Sequence, residues 1–182
     1  MKSIKNGLLF GGLIVLMGVV LVCDIIFGSV RLPLEALWSD DILYREIIYN
    51  FRLPKALTAV ITGAAISVAG LIMQTLFRNP LAGPYVLGVS SGASLGVAVY
   101  LLAGGLLPVA LTQSGWGLVI AAITGAVLVL LLVLAVSLHV RQAVSLLIVG
   151  IMFGQIAGSL VTILQNSSNP DSLKLFVVWT FG

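Results

Sequence analysis

Charged residues are scarce in this sequence. Only 9 Lys/Arg and 6 Asp/Glu occur among its 182 residues, which is 8%, whereas a soluble domain carries about 25%. Hydrophobic residues make up 60% of the chain, and the mean hydropathy is +1.20. This balance excludes a soluble globular protein and indicates an integral membrane protein.

The sequence also lacks the residue clusters that most catalytic and metal sites need. Its single cysteine, Cys23, and single histidine, His139, provide neither an internal disulfide nor a cluster with metal-ligand spacing. No P-loop occurs, so any ATP that drives the protein must bind to another chain. The basic residues are scattered singly, which argues against nucleic-acid binding. We therefore expect no enzyme activity and no resident cofactor or metal.

Five apolar segments are long enough to cross a bilayer as helices, which takes about 20 residues. They cover residues 7–28, 54–77, 84–107, 115–138 and 143–164. The first is longer than the apolar core of a secretory signal, so we interpret it as a retained span. The second and third are predicted to begin at Pro54 and Pro84, because proline is tolerated in a first helical turn.

Two segments are too polar to span the membrane. Residues 33–51 predict one or two short interfacial helices, and residues 171–179 predict a short helix capped by Asp171. The expected fold class is all-α, a polytopic transmembrane helical bundle of about five spanning helices plus short interfacial helices. We expect one transmembrane domain over 1–182, truncated at its C-terminal end because Gly182 follows apolar sequence.

The basic residues favour a cytoplasmic N-terminus, because Lys2 and Lys5 precede the first span. Alternation of the spans then places Arg78 and Arg141 inside as well. The same scheme leaves five Lys/Arg outside against four inside, so the charge count alone does not decide the orientation.

A polar break with two prolines, RNPLAGP from Arg78 to Pro84, separates the second and third spans. Pro80 and Pro84 lack an N–H group and interrupt helical bonding. Asn79 could satisfy freed backbone groups or present an amide to a pore, and Leu81 is a candidate hydrophobic plug. Lipid tolerates such a break only where protein or water surrounds it. The break therefore predicts either a hinge that gates a route or an ordinary turn.

Small residues recur at helical spacing on two of the predicted spans. One stripe comprises Gly88, Gly92 and Gly96, with Ser91 beside it, and the other comprises Gly150, Gly154 and Gly158. Such stripes allow close approach of another backbone, either within one subunit or at a subunit interface or pathway. The first stripe also contains G-x-S-x-G, but that nucleophile motif requires a strand–turn–helix setting rather than an apolar helix.

Three polar residues lie near the ends of the second predicted span. Arg52 and Lys55 flank its start, where they either reach the lipid surface or pair with acids on a soluble partner. Gln74 precedes Arg78 by four residues. Gln74 could cap the hinge or line a route, and we favour burial against the hinge.

Long stretches of the sequence resemble the permease family of ABC importers for iron-siderophores, haem and cobalamin. The resemblance is carried by RLPK at 52–55, GAAISVAGLIMQTLFRNPLAGPYVLGVSSGA at 63–93, LLIVG at 146–150 and VWTFG at 178–182. It implies a ten-helix permease of which this chain is the first half. It also implies a homodimer in the bacterial inner membrane, two cytoplasmic ATPase subunits, and a periplasmic or lipid-anchored substrate-binding protein.

The resemblance also implies roles for individual residues. Arg52 and Lys55 match the outer cations that meet acids of the binding protein, although a lysine at the second position weakens bidentate pairing. Asn79 and Leu81 match the cytoplasmic gate. Two other hypotheses stay open: a secondary transporter, which would need an ionisable group at mid-membrane where only Asp24 comes near, and a non-functional membrane fragment.

Overall fold

The computed structural model describes residues 2–28, 32, 33, 35, 38–102, 116–140 and 142–181, with side chains from residue 6 onward. The described elements are helices and turns. The helices are α1 (Lys2–Ile26), α2 (Ile42–Glu46), a π-helical segment (Ile47–Arg52), α3 (Leu53–Phe77), a 3₁₀ turn (Pro84–Leu87), α4 (Val89–Leu102), α5 (Gly117–Ser137), α6 (Ala143–Ser167) and α7 (Pro170–Phe181). They form two compact units, Met1–Val68 and Ala69–Gly182.

The first unit is built around the end of α1. Leu32 and Ile48 are buried and pack with Ile25, Tyr44 and Ile47. Helix α2 begins after Asp41, whose side chain accepts a hydrogen bond of 3.0 Å from the Leu43 N–H. Such a cap satisfies a donor that has no partner within the helix.

Residues 42–51 do not form a helix separate from the second span, although residues 33–51 were predicted to form short interfacial helices. Helix α2, the π segment and α3 follow one another without a break, so the predicted helix start at Pro54 is wrong. The Leu53 N–H bonds to the Ile48 carbonyl, five residues back. Proline inside a helix removes a hydrogen bond and crowds the carbonyl four residues earlier. A wider π turn directly before Pro54 accommodates that crowding.

The second unit has α4 at its centre, in contact with α5, α6 and α7. Val97 and Ala98 on α4 are fully buried and pack with Val161 of α6 and Phe176 of α7. A second cluster buries Leu87, Val129 and Val133. An apolar cluster does not by itself drive association in lipid, so close packing between these helices provides the attraction.

Four of the described helices are long and apolar enough to cross a membrane: Asn6–Ile26, Ile42–Phe77, Gly117–Ser137 and Ala143–Ser167. The predicted third span is shorter, because α4 begins at Val89 and not at Pro84. Gly88 adopts a left-handed conformation with φ 71° and ends the 3₁₀ turn. The last five residues of that predicted span, 103–107, lie outside the described residues.

The short helix α7 forms where the sequence predicts it, but with a different cap. The Asn169 side chain accepts a 2.8 Å hydrogen bond from the Ser172 N–H. Asp171 lies inside the first turn, so the prediction that Asp171 is the cap is wrong. Pro170 fixes the first helical position, and this places the capping side chain one residue before it.

Candidate functional site

The α3–α4 turn, residues 78–84, begins with a Schellman motif. The Asn79 N–H bonds to the Gln74 carbonyl at 3.1 Å, and the Arg78 N–H bonds to the Thr75 carbonyl at 3.3 Å. Arg78 holds the left-handed position, with φ 49°, that glycine usually occupies. The Gln74 side chain is exposed, so its expected burial against the hinge is wrong. It is the Gln74 backbone carbonyl that takes part in the cap, as the acceptor of the Asn79 N–H.

Asn79 organises the rest of this turn. Its side-chain oxygen accepts from the Leu81 N–H at 2.9 Å, and its backbone carbonyl accepts from the Ala82 N–H at 3.1 Å. Pro80 lies between Asn79 and Leu81, where its fixed φ suits a turn. Ala82 is buried while the Leu81 side chain is 89% exposed. The turn therefore holds a large apolar side chain away from the packed core of the second unit.

Replacing Asn79 with alanine is expected to loosen this turn by about 1 kcal/mol, the value of one hydrogen bond. The reason is that the Leu81 N–H loses its acceptor. Thermal unfolding of the protein in detergent measures the effect. Leu81→Ala is the matched control, because it keeps the hydrogen bond and removes an exposed side chain. Equal stability of the Asn79→Ala variant and the wild type would show that the hydrogen bond from the Leu81 N–H to the Asn79 side chain does not stabilise the turn.

The two glycine stripes meet different neighbours. A Cβ added at Gly88 would lie 2.7 Å from the Gly150 carbonyl oxygen, and Gly154 lies against both Gly88 and Ser91. A Cβ at Gly92 would lie 2.6 Å from the carbonyl oxygen of Gly125 on α5. The first stripe therefore touches α6 at its start and α5 further along.

The last glycine of each stripe differs in what surrounds it. A Cβ at Gly96 would lie 2.1 Å from the Ala121 carbonyl oxygen, whereas one at Gly158 would meet nothing within 4 Å. Gly125 and Ala121 on α5 escaped the sequence analysis. Gly117, Ala121 and Gly125 recur every fourth residue, and this spacing is the signal that could have found them.

Helix α6 carries polar side chains on one face, which we name the polar face of α6. It consists of Gln155, Ser159, Thr162 and Asn166, at i, i+4, i+7 and i+11, and all of them are exposed. The packed positions Gly150, Ala157 and Val161 are buried on the same helix. The sequence analysis missed this face, although its spacing is visible in the sequence.

The polar face continues into a cleft at the junction of α6 and α7. This cleft has a volume of about 470 Å³ and is lined by Thr162, Ile163, Gln165, Asn166 and Leu173. The hydroxyls of Ser159 and Thr162 donate to backbone carbonyls one turn earlier, at 2.9 and 3.1 Å. The face therefore presents amides and satisfied hydroxyls, without an ionisable side chain.

Arg52 and Lys55 differ in setting although they are three residues apart. Arg52 is buried, and its guanidinium donates to the backbone carbonyl of Ile25 near the end of α1. A Cβ added at Gly28 would lie 3.0 Å from the Arg52 Nη2 atom. Lys55 is exposed on the first turn of α3. We name Gly28, Arg52 and Lys55 the outer rim, after the outer face that the family resemblance implies for Arg52 and Lys55.

Within the described part of the chain, no group of three or more His, Cys, Asp or Glu side chains could hold a metal ion. The second unit thus presents a polar helical face and a structured turn, and the first unit presents two cations.

Comparison with known proteins places this chain in a transport family. The profile of the FecCD transport family matches residues 14–182. The uncharacterised ABC transporter permease YvrB of Bacillus subtilis is 35% identical over 91% of this chain and 50% of its own length. The hemin transport permease HmuU of Yersinia pestis is 33% identical over 98% of this chain and 54% of its own length.

Two further matches agree with this. The vitamin B12 import permease BtuC of Klebsiella pneumoniae is 38% identical over 74% of this chain and 39% of its own length. A solved metal-chelate type ABC transporter in an inward-facing conformation superimposes with a TM-score of 0.78 at 28% identity, covering 96% of this chain and 52% of that one. The chain spans about half the length of the first two relatives.

Proposed function

Because this chain belongs to the FecCD transport family, we propose that it forms part of the permease of an ATP-driven importer. Its cargo would be a metal chelate such as an iron-siderophore, haem or cobalamin, moved across the bacterial inner membrane. The N-terminus would be cytoplasmic. A homodimer of permeases would work with cytoplasmic ATPase subunits and a periplasmic or lipid-anchored substrate-binding protein. The chain itself would break no covalent bond in its cargo.

The polar face of α6 is the observation that carries this proposal. Side-chain amides such as those of Gln155 and Asn166 are costly in contact with lipid, so within a spanning helix they face protein or a water-filled route. The opposite side of α6 is already packed through Gly150, Gly154 and Ala157. A route lined by neutral hydrogen-bonding groups suits a bulky polar cargo, because weak contacts let the cargo leave again.

The α3–α4 turn supplies the gate in this proposal. Leu81 is the exposed plug and Asn79 holds it in place, while Arg78, Pro80 and Pro84 form the hinge that closes the cytoplasmic mouth. The support is the geometry of the turn, which is ordered by its own hydrogen bonds and still presents Leu81 outward.

The outer rim supplies docking in this proposal. Lys55 is the exposed cation that would pair with an acid of the substrate-binding protein. Pairs of this kind guide encounter and fix orientation more than they add affinity.

Uptake of labelled chelates by the permease together with its ATPase and binding-protein partners tests this function. We expect uptake of a ferric siderophore, haem or cobalamin that requires ATP and persists after the proton gradient is collapsed. Uptake that ignores ATP and stops with the gradient would instead establish the secondary transporter.

Cysteine scanning tests whether the polar face of α6 lines the route. Cysteines at Ser159 and Thr162 are expected to react with a water-soluble thiol reagent, and bound cargo should protect them. A cysteine at Leu160, which follows Ser159 in the sequence and lies on another face of the helix, is the control and should stay unreactive. Unreactive cysteines at both polar positions would remove this face from the route.

A further inference from the structure

Arg52 has contacts that docking does not require. It is 9% exposed, and its Nη1 atom donates to the Ile25 carbonyl, 27 residues earlier in the sequence. The guanidinium also fills the space beside Gly28, where an added Cβ would lie 3.0 Å from Nη2 and 3.3 Å from Cζ. The group that would meet a partner is therefore turned towards its own chain.

The end of α1 gains from this contact. The last carbonyls of a helix have no partner within the helix and carry a partial negative charge. Helix α1 has no basic residue in its own last turn. Arginine suits the task because its planar group donates in several directions while keeping its charge.

The π segment places Arg52 where it can make this contact. A π turn holds more residues than an α turn, so the side chains after it are rotated relative to a regular helix. Arg52 is the last residue of that segment and is buried, whereas Lys55 follows in regular helix and is exposed. Arg52 is thus turned towards α1 while Lys55 stays exposed, although the sequence alone presents the two cations as a pair.

We propose that Arg52 is a positioning residue that fastens the end of α1 to the π segment, and that Lys55 alone of the two cations touches the partner. The proposal rests on the docking function proposed above. Arg52 acts on docking by keeping the outer rim in one geometry. Loss of Arg52 would loosen the rim, and loss of Lys55 would remove the charge that meets the partner.

Two measurements on the complete permease in membranes separate these roles. The first is the mobility of a spin label on Cys23, which lies in the last turns of α1 and is exposed, in a background without other cysteines. The second is the affinity for the substrate-binding protein from the same gene cluster, measured over a range of salt concentrations. The variants are Arg52→Ala, Gly28→Val and Lys55→Gln.

We expect Arg52→Ala and Gly28→Val to mobilise the label, and Lys55→Gln to leave it unchanged. Gly28→Val keeps every charge and crowds the guanidinium, so it tests position separately from charge. Binding should weaken about threefold in all three variants. The salt dependence should flatten most in Lys55→Gln, because screening acts most strongly on the charge at the interface.

An unchanged label in both Arg52→Ala and Gly28→Val would overturn the fastening role. A flattened salt dependence in Arg52→Ala equal to that in Lys55→Gln would show Arg52 at the interface and would also overturn the proposal. Absence of any binding by the wild-type permease would remove the docking function, and the label would still report on the fastening of α1.

Discussion

Gly96→Ala is expected to destabilise the protein by about 3 kcal/mol, because overpacking a tight contact costs about 1–3 kcal/mol and here the obstacle is backbone. The added Cβ would lie 2.1 Å from the Ala121 carbonyl oxygen and 3.2 Å from the Gly125 Cα. No side-chain rotation relieves such a clash. Helices α4 and α5 would have to move apart, and their contact is the main packing of α4.

The measurement is thermal unfolding in detergent, followed by the amount of protein that stays monodisperse. Gly63→Ala in α3 is the control, because an added Cβ there meets nothing within 4 Å. Alanine favours a helix over glycine by about 1 kcal/mol, so the control should be neutral or stabilising. Equal behaviour of the two variants would mean that α4 and α5 are not in backbone contact.

Gly125→Ala offers an independent check on the same contact. Its Cβ would lie 2.1 Å from the Gly92 carbonyl oxygen. If both substitutions push the same two helices apart, the double variant should lose less stability than the sum of the single variants, because coupled sites are not additive.

The long helices could be predicted from composition, because lipid demands about 20 apolar residues whose backbone groups are satisfied internally. The predicted spans 115–138 and 143–164 correspond to α5 and α6, with ends that differ by at most three residues. Length and hydropathy were sufficient for these helices because no local irregularity interrupts them.

The predicted helix starts at prolines were wrong for opposite local reasons. Before Pro54 a π turn leaves room for the proline ring, and the helix continues past it. After Pro84 only a 3₁₀ turn forms, because Gly88 turns left-handed against the backbone of α6. A proline marks a place where helical bonding is disturbed, and the tertiary contacts decide whether the helix continues.

The candidate site was predicted unevenly. The α3–α4 turn could be predicted from its prolines and Asn79. The different settings of Arg52 and Lys55 depend on a carbonyl 27 residues away from Arg52, which no local pattern contains. The polar face of α6 could have been predicted from the helical spacing of its amide and hydroxyl residues, which is as regular as the spacing of the glycine stripes.

Ser159→Trp is expected to reduce uptake at least about tenfold, equivalent to about 1.4 kcal/mol, while insertion into the membrane stays normal. Ser159 lies in the middle of the polar face of α6 and is exposed, so the indole fills the proposed route without disturbing the packed side of the helix. Initial rates of labelled chelate uptake, normalised to the amount of permease in the membrane, measure the effect.

Two variants separate obstruction from other causes. Leu160→Trp places the same side chain on the neighbouring residue, which is 45% exposed on another face, and it should transport at about half the wild-type rate or better, since surface substitutions are usually mild. Ser159→Ala should transport normally, because the Ser159 hydroxyl bonds to the Gln155 carbonyl of its own helix at 2.9 Å. If Ser159→Trp transports as well as Leu160→Trp, this face does not line the route. If Ser159→Ala also fails, the hydroxyl contacts the cargo directly, and α6 then binds the chelate as well as leaving room for it.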